Sequence, residues 1–143
     1  DHTDVRPTIL ELVGLQDDYL HDGRVISEIL EGYARPPALK KSTRFIALAQ
    51  MYKQLNASFG EFAMAILKSS TKALASNDPD DATYSSIEGQ IQSLTAQRDA
   101  VAAQMISLLN GAEFNGQTFS DAQAQSVIVQ GQALLDQANA LPH

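Results

Sequence analysis

The sequence predicts an all-α fold: an antiparallel up-down bundle of three long helices preceded by two short helices. Apolar residues recur at alternating spacings of three and four in three separate stretches, which is the pattern of a helical seam. Short connections rich in Asn, Asp, Gly and Pro divide these stretches, so successive helices run antiparallel. No run of alternating β-branched residues bounded by turns is present.

Residues 1–36 form the first unit. Asp4 is the expected N-cap of a short helix over about 5–13, with Pro7 in its first turn and Ile9, Leu10, Leu12 and Val13 at helical spacing. Gly14 stands where a left-handed residue ends a helix. The Asp-rich stretch Leu15–Gly23 reads as a loop, and Ile26, Ile29 and Leu30 predict a second short helix over about 26–31. The pair Pro36-Pro37 favours an extended connection, which places the unit boundary there.

Residues 37–143 carry the bundle. Phe45, Leu48, Tyr52, Leu55, Phe59, Phe62 and Ile66 predict one continuous helix over about 40–75, with Gly60 tolerated at a cost of about 1 kcal/mol. Asn77-Asp78-Pro79-Asp80-Asp81 stops it. Ser85 with Glu88 forms the sequence pattern of a capping box. Ile87, Ile91, Leu94, Val101, Met105 and Leu108 follow, with Arg98 at one seam position, predicting a helix over 85–109 closed by Asn110-Gly111. Ser120 with Gln123 is a second capping box, and Val127, Gly131, Leu134, Ala138 and Leu141 seed the third helix over 120–140. The three helices share a period but no sequence repeat.

The chain is 44% hydrophobic and 19% charged, which argues against disorder as a class. No run approaches the ~18 apolar residues of a membrane span. The net charge of −7 argues against nucleic acid as a partner of the whole chain. That charge is uneven: residues 1–36 carry −5, residues 37–76 carry +5 and residues 77–143 carry −7. Complementary charge is therefore expected to help hold the basic arm between its acidic neighbours, with modest and salt-dependent strength. With no Cys there is no disulfide frame, thiolate site or cysteine nucleophile. The sequence starts without an initiator Met or a signal peptide, the expectation for a piece of a longer protein.

Few residues carry chemistry. Asp1, His2, Asp4, Asp17, Asp18, His21 and Asp22 form the densest set of carboxylates and imidazoles, but their spacing matches no established metal site. A capping Asp4 and a solvated acidic loop account for them. Lys40, Lys41, Arg44, Lys53, Lys68 and Lys72 read as the solvated face of a long helix, because the interleaved aromatics belong to its seam. Asn56-Ala57-Ser58 fits the glycosylation triplet by chance inside a helix. Tyr52, Lys53, Gln54 and Asn56 could form a polar cluster where the helix meets another unit. Arg98-Asp99 could supply a seam ion pair to the 40–75 helix, setting register. No nucleophile–base pair, phosphate loop or zinc spacing occurs. No catalytic, cofactor-binding or metal-binding residue is therefore assigned.

Asp1-His2-Thr3-Asp4-Val5-Arg6-Pro7-Thr8-Ile9-Leu10-Glu11-Leu12-Val13-Gly14-Leu15 resembles a late segment of alkaline-phosphatase-superfamily hydrolases, the group of sulfatases, phosphodiesterases and nucleotide pyrophosphatases. These carry D-x-x-PT-hh-x-hh-G-h there, where h is apolar. Asp22-Gly23-Arg24 followed by Ile26 to Leu30 resembles their next element. The remainder, including Tyr52-Lys53-Gln54-Leu55-Asn56 and Arg98-Asp99-Ala100, looks like the helical C-terminal extension of secreted actinobacterial members.

The resemblance implies a parent that hydrolyses phosphoric esters with paired divalent metals, extracellular or in the cell envelope. Its nucleophile and metal motifs would precede this segment, so no catalytic role transfers to Asp4 or Pro7. His2 stands just beyond the expected last metal motif. Residues 1–31 would close the α/β catalytic domain, and the bundle would be a packing or assembly module. The implied partner is that upstream domain, with a homodimer as the alternative. A helix over 5–13 that normally packs on a sheet lacks that sheet here, so Ile9, Leu12 and Val13 are expected to pack on the bundle or in an intermolecular contact.

Overall fold

A computed structural model of the chain describes residues 2–16, 18, 19, 21–78 and 80–142. They are all-helical: among them no strand occurs. The α-helices are α1 (Val5–Leu12), α2 (Phe45–Asn56), α3 (Glu61–Leu74), α4 (Ala82–Phe114) and α5 (Asp121–Asn139). Single 3-10 turns lie at His2–Asp4, Ser27–Ile29 and Leu39–Lys41.

The arms of the bundle are α2 with α3, then α4, then α5, and each packs on both others. Their direction follows from side-chain contacts. Thr43, just before α2, donates its backbone N–H to Asp121 at the start of α5 at 2.9 Å. Asn139, at the end of α5, donates to Glu61 at the start of α3 at 2.9 Å. The first and third arms therefore run side by side, with α4 returning between them. Leu48, Leu55, Met105, Leu109 and Leu135 lie at the centre. Gly131 makes room there for two methionines: a Cβ would meet Met51 Cγ at 2.8 Å and Met105 Cε at 2.9 Å, so one of them would have to shift.

The predicted helix over 40–75 is two helices. Ala57 turns extended and Gly60 begins α3. Gly60 lies so close to the end of α2 that a Cβ would sit 2.6 Å from the carbonyl oxygens of Lys53 and Gln54. Gln54 Oε1 accepts the Glu61 N–H at 3.2 Å, and the Arg98 guanidinium donates to the Leu55 carbonyl at 3.2 Å. Backbone groups freed by the break thus find side-chain partners. The break also expels one seam residue, since Phe59 is 90% exposed.

The other boundaries shift for tertiary reasons. α4 starts at Ala82 behind a left-handed Asp81, so Ser85 and Glu88 lie inside it and form no capping box. It also runs through Asn110-Gly111 to Phe114, because Ala112 and Glu113 are buried there. Gln117 folds back to donate its N–H to the Gly111 carbonyl at 2.8 Å. The Ser120–Gln123 capping box forms as expected at the start of α5.

Candidate functional site

The chemistry-bearing side chains gather where residues 2–30 rest on the bundle. α1 positions the first of them. Gly14 is left-handed, with φ +67°, and the helix closes with Leu15 N–H on the Leu10 carbonyl (2.9 Å) and Gly14 N–H on the Glu11 carbonyl (3.1 Å). This paired closure is the Schellman pattern.

Asp4 occupies the N-cap position, but its carboxylate does not cap the helix. It is 4% exposed and turned toward the rest of the chain, where Oδ1 accepts the Arg24 backbone N–H at 2.9 Å and Lys53 Nζ at 3.0 Å. Thr8, one turn on, donates its hydroxyl to the Asp4 carbonyl at 2.6 Å and accepts the Ile26 N–H at 3.0 Å. The turn at Gly23 passes against the same place: a Cβ on Gly23 would sit 2.1 Å from the Thr3 carbonyl oxygen.

The bundle supplies the matching groups from the end of α2. Tyr52 donates its hydroxyl to the Asp22 carbonyl at 2.8 Å, and Asn56 Nδ2 donates to the Tyr52 oxygen at 2.8 Å. Burial, then the nearby Asp22 and Asp4 charges, push the Tyr52 phenol up to about 12. This is a permanently protonated donor rather than a general base. Three of the four residues in the expected polar cluster, Tyr52, Lys53 and Asn56, thus meet residues 2–30 directly. Gln54 instead serves the break. Lys53 is consequently no part of a solvated basic face, whereas Lys40, Lys41, Arg44, Lys68 and Lys72 are exposed. Asn56 ends α2 with its amide engaged, which removes the premise of a mid-helix triplet.

Arg24 and Glu28 complete the layer. Their guanidinium and carboxylate pair in two bonds of 2.7 and 2.6 Å, and Arg24 also donates to the Val25 carbonyl at 2.8 Å. Burial alone would raise the Glu28 carboxyl, but the hydrogen bonds and charge of Arg24 outweigh it and hold it below the usual range. The predicted helix over 26–31 is only a 3-10 turn, because Leu30 is extended and Arg35 Nε takes the Ser27 and Leu30 carbonyls at 3.2 and 3.1 Å. Behind Ser27 lies Glu113 of α4, 6% exposed, whose Oε1 accepts the Ser27 hydroxyl at 3.3 Å.

The acidic set disperses. Asp1 and Asp17 lie outside the described residues, His2 and Asp18 are exposed, and His21 packs edge-on to the Tyr19 ring. Among the described residues no group of three His, Cys, Asp or Glu side chains could hold a metal ion. Arg98 pairs with Asp99, 2.8 Å away without hydrogen-bond alignment, and reaches the first arm through the Leu55 carbonyl and the Phe62 ring. The expected ion pair to that arm is therefore a carbonyl and cation–π contact. A groove of about 600 Å³ between α4 and α5 is lined by Gln, Ser, Ala, Leu and Val.

Of the two outcomes expected for α1, packing on the bundle is not found. Val5, Ile9, Leu12 and Val13 are 50, 53, 58 and 59% exposed, so they do not pack on the bundle. The helix is inside out: its buried face is Asp4, Pro7 and Thr8, and its apolar face points to solvent. Sequence periodicity finds the apolar stripe but not the direction in which it points. The polar signal was Asp4 and Thr8 at a spacing of four, to one side of that stripe. No helix among the described residues is long and apolar enough to cross a membrane. No family model matches the chain, and no curated protein or solved structure matches it.

Proposed function

We propose that this chain is a non-catalytic helical part of a larger metal-dependent phosphoric-ester hydrolase, in which α1 docks on the α/β catalytic domain and the bundle has a packing or assembly role. The observation that carries the reading is the inverted polarity of α1. A surface helix ordinarily turns its apolar stripe inward. Here Asp4 is engaged by Arg24 and by Lys53 of the bundle, Thr8 by Ile26, and Val5, Ile9, Leu12 and Val13 are left for a partner. The D-x-x-PT pattern on that same helix supports an α/β sheet as the partner. The parent would hold the divalent metals and act outside the cell or in its envelope.

The coding sequence upstream of Asp1 tests this. Metal-ligand motifs ending just before residue 1, with hydrolysis by the full-length product and none by residues 1–143, are the expected result. An upstream sequence without such motifs, or an inactive metal-replete parent, refutes it.

A second reading is a dimerisation module unrelated to hydrolysis. Met64, Leu67 and Leu74 favour it, because they form a second exposed apolar stripe on α3. It requires a mass that rises with concentration in light scattering; a strict monomer at high concentration rejects it.

A further inference from the structure

We propose that Glu113 is a proton-operated latch between residues 22–30 and the bundle: with its carboxyl protonated the segment stays seated, and ionisation favours its release.

Glu113 lies near the C-terminal end of α4, beneath the 3-10 turn Ser27–Ile29. Its Oε2 is buried without a hydrogen-bond partner, and Oε1 has the Ser27 hydroxyl at a long 3.3 Å. A buried carboxylate needs a cation or several strong donors. The nearby cation, Arg24, is already committed to Glu28 in two short bonds and to the Val25 carbonyl. From α1, Glu11 adds a like charge, and Lys41 from the turn before α2 lines the same cavity of about 290 Å³ without supplying a bond to Glu113. A neutral carboxyl suits this position and an ionised one does not.

Burial, as the largest influence, pushes the Glu113 carboxyl up to about 8, against the opposing effects of Ser27, Arg24 and the Val25 N–H. Burial also raises Glu11. With the segment lifted, Glu113 reaches water and returns to about 4.5, its ordinary value. Between those two values the closed form holds one more proton than the open form. The contribution of Glu113 to closure is thus greatest at the acid end of that interval, and the opening constant rises about tenfold per pH unit from pH ~5 to ~8, then levels off.

Native-state amide exchange of the full chain, corrected for intrinsic rates, reads this directly, together with a carbon-13 titration of the Glu113 carboxyl. The expected result is a carboxyl titrating near 8 and a rise in opening within residues 2–30 that spares α5, absent in Glu113→Gln. The latch is overturned by titration in the ordinary carboxylate range, by an equal slope in the α5 amides, or by a slope that survives Glu113→Gln. Should that variant not fold, the carboxyl titration and the wild-type slopes decide alone.

Discussion

Leu109 and Asp4 are both withdrawn from water, by opposite means. Leu109 sits among apolar side chains of three arms, and its burial is non-directional. Among the partners that hold Asp4 are the Arg24 amide and the Lys53 ammonium, and its burial depends on bond geometry. The bundle is stabilised by area, whereas the layer of residues 2–30 is stabilised by a short series of directed polar contacts. Area tolerates small displacements. Directed contacts fail together when one backbone segment moves.

The sharpest way to break this contrast is from the bundle side. Leu109→Ala is expected to lower the stability of the whole chain by about 2–5 kcal/mol, because it opens a cavity at a fully buried position. Urea denaturation followed by circular dichroism would show one cooperative transition at lower midpoint, since the layer rests on the bundle.

Gly23→Ala acts on the layer alone. Its methyl group would overlap the Thr3 carbonyl, and the forced shift costs on the order of 1–3 kcal/mol. Amide exchange should accelerate across residues 4–30 while α5 keeps its protection; equal acceleration in both would show that the two regions are one cooperative unit. Lys53→Met removes the cation from Asp4 but leaves the Arg24 amide in place. The same exchange experiment should show a local loss of about 1–2 kcal/mol. Ile9→Asn should change stability by less than about 0.5 kcal/mol, because the side chain is already half in water. A large loss in thermal denaturation would mean that Ile9 is covered in solution.

The sequence made the bundle legible because its core obeys one period. Leu48, Leu55, Met105 and Leu134 fall on their seams without reference to anything distant. Phe59 fell on the same seam and is exposed, because period cannot register that Gly60 must approach the carbonyls of Lys53 and Gln54. The continuation of α4 past Asn110-Gly111 was equally hidden, since Glu113 meets Ser27, 86 residues earlier. Tyr52, Lys53 and Asn56 stood out as a polar cluster, but their partners at Asp22 and Asp4 carry no local signal. What was missed is consistently a long-range polar contact or a close backbone approach.

The link from Ser27 to Glu113 also sets an order of events during synthesis. Residues 2–30 leave the ribosome before the surface they rest on exists. The 86 residues separating Ser27 from Glu113 take roughly 4–17 s to add at 5–20 residues per second. Throughout that interval the polar face of α1 lacks its completed seat on the bundle.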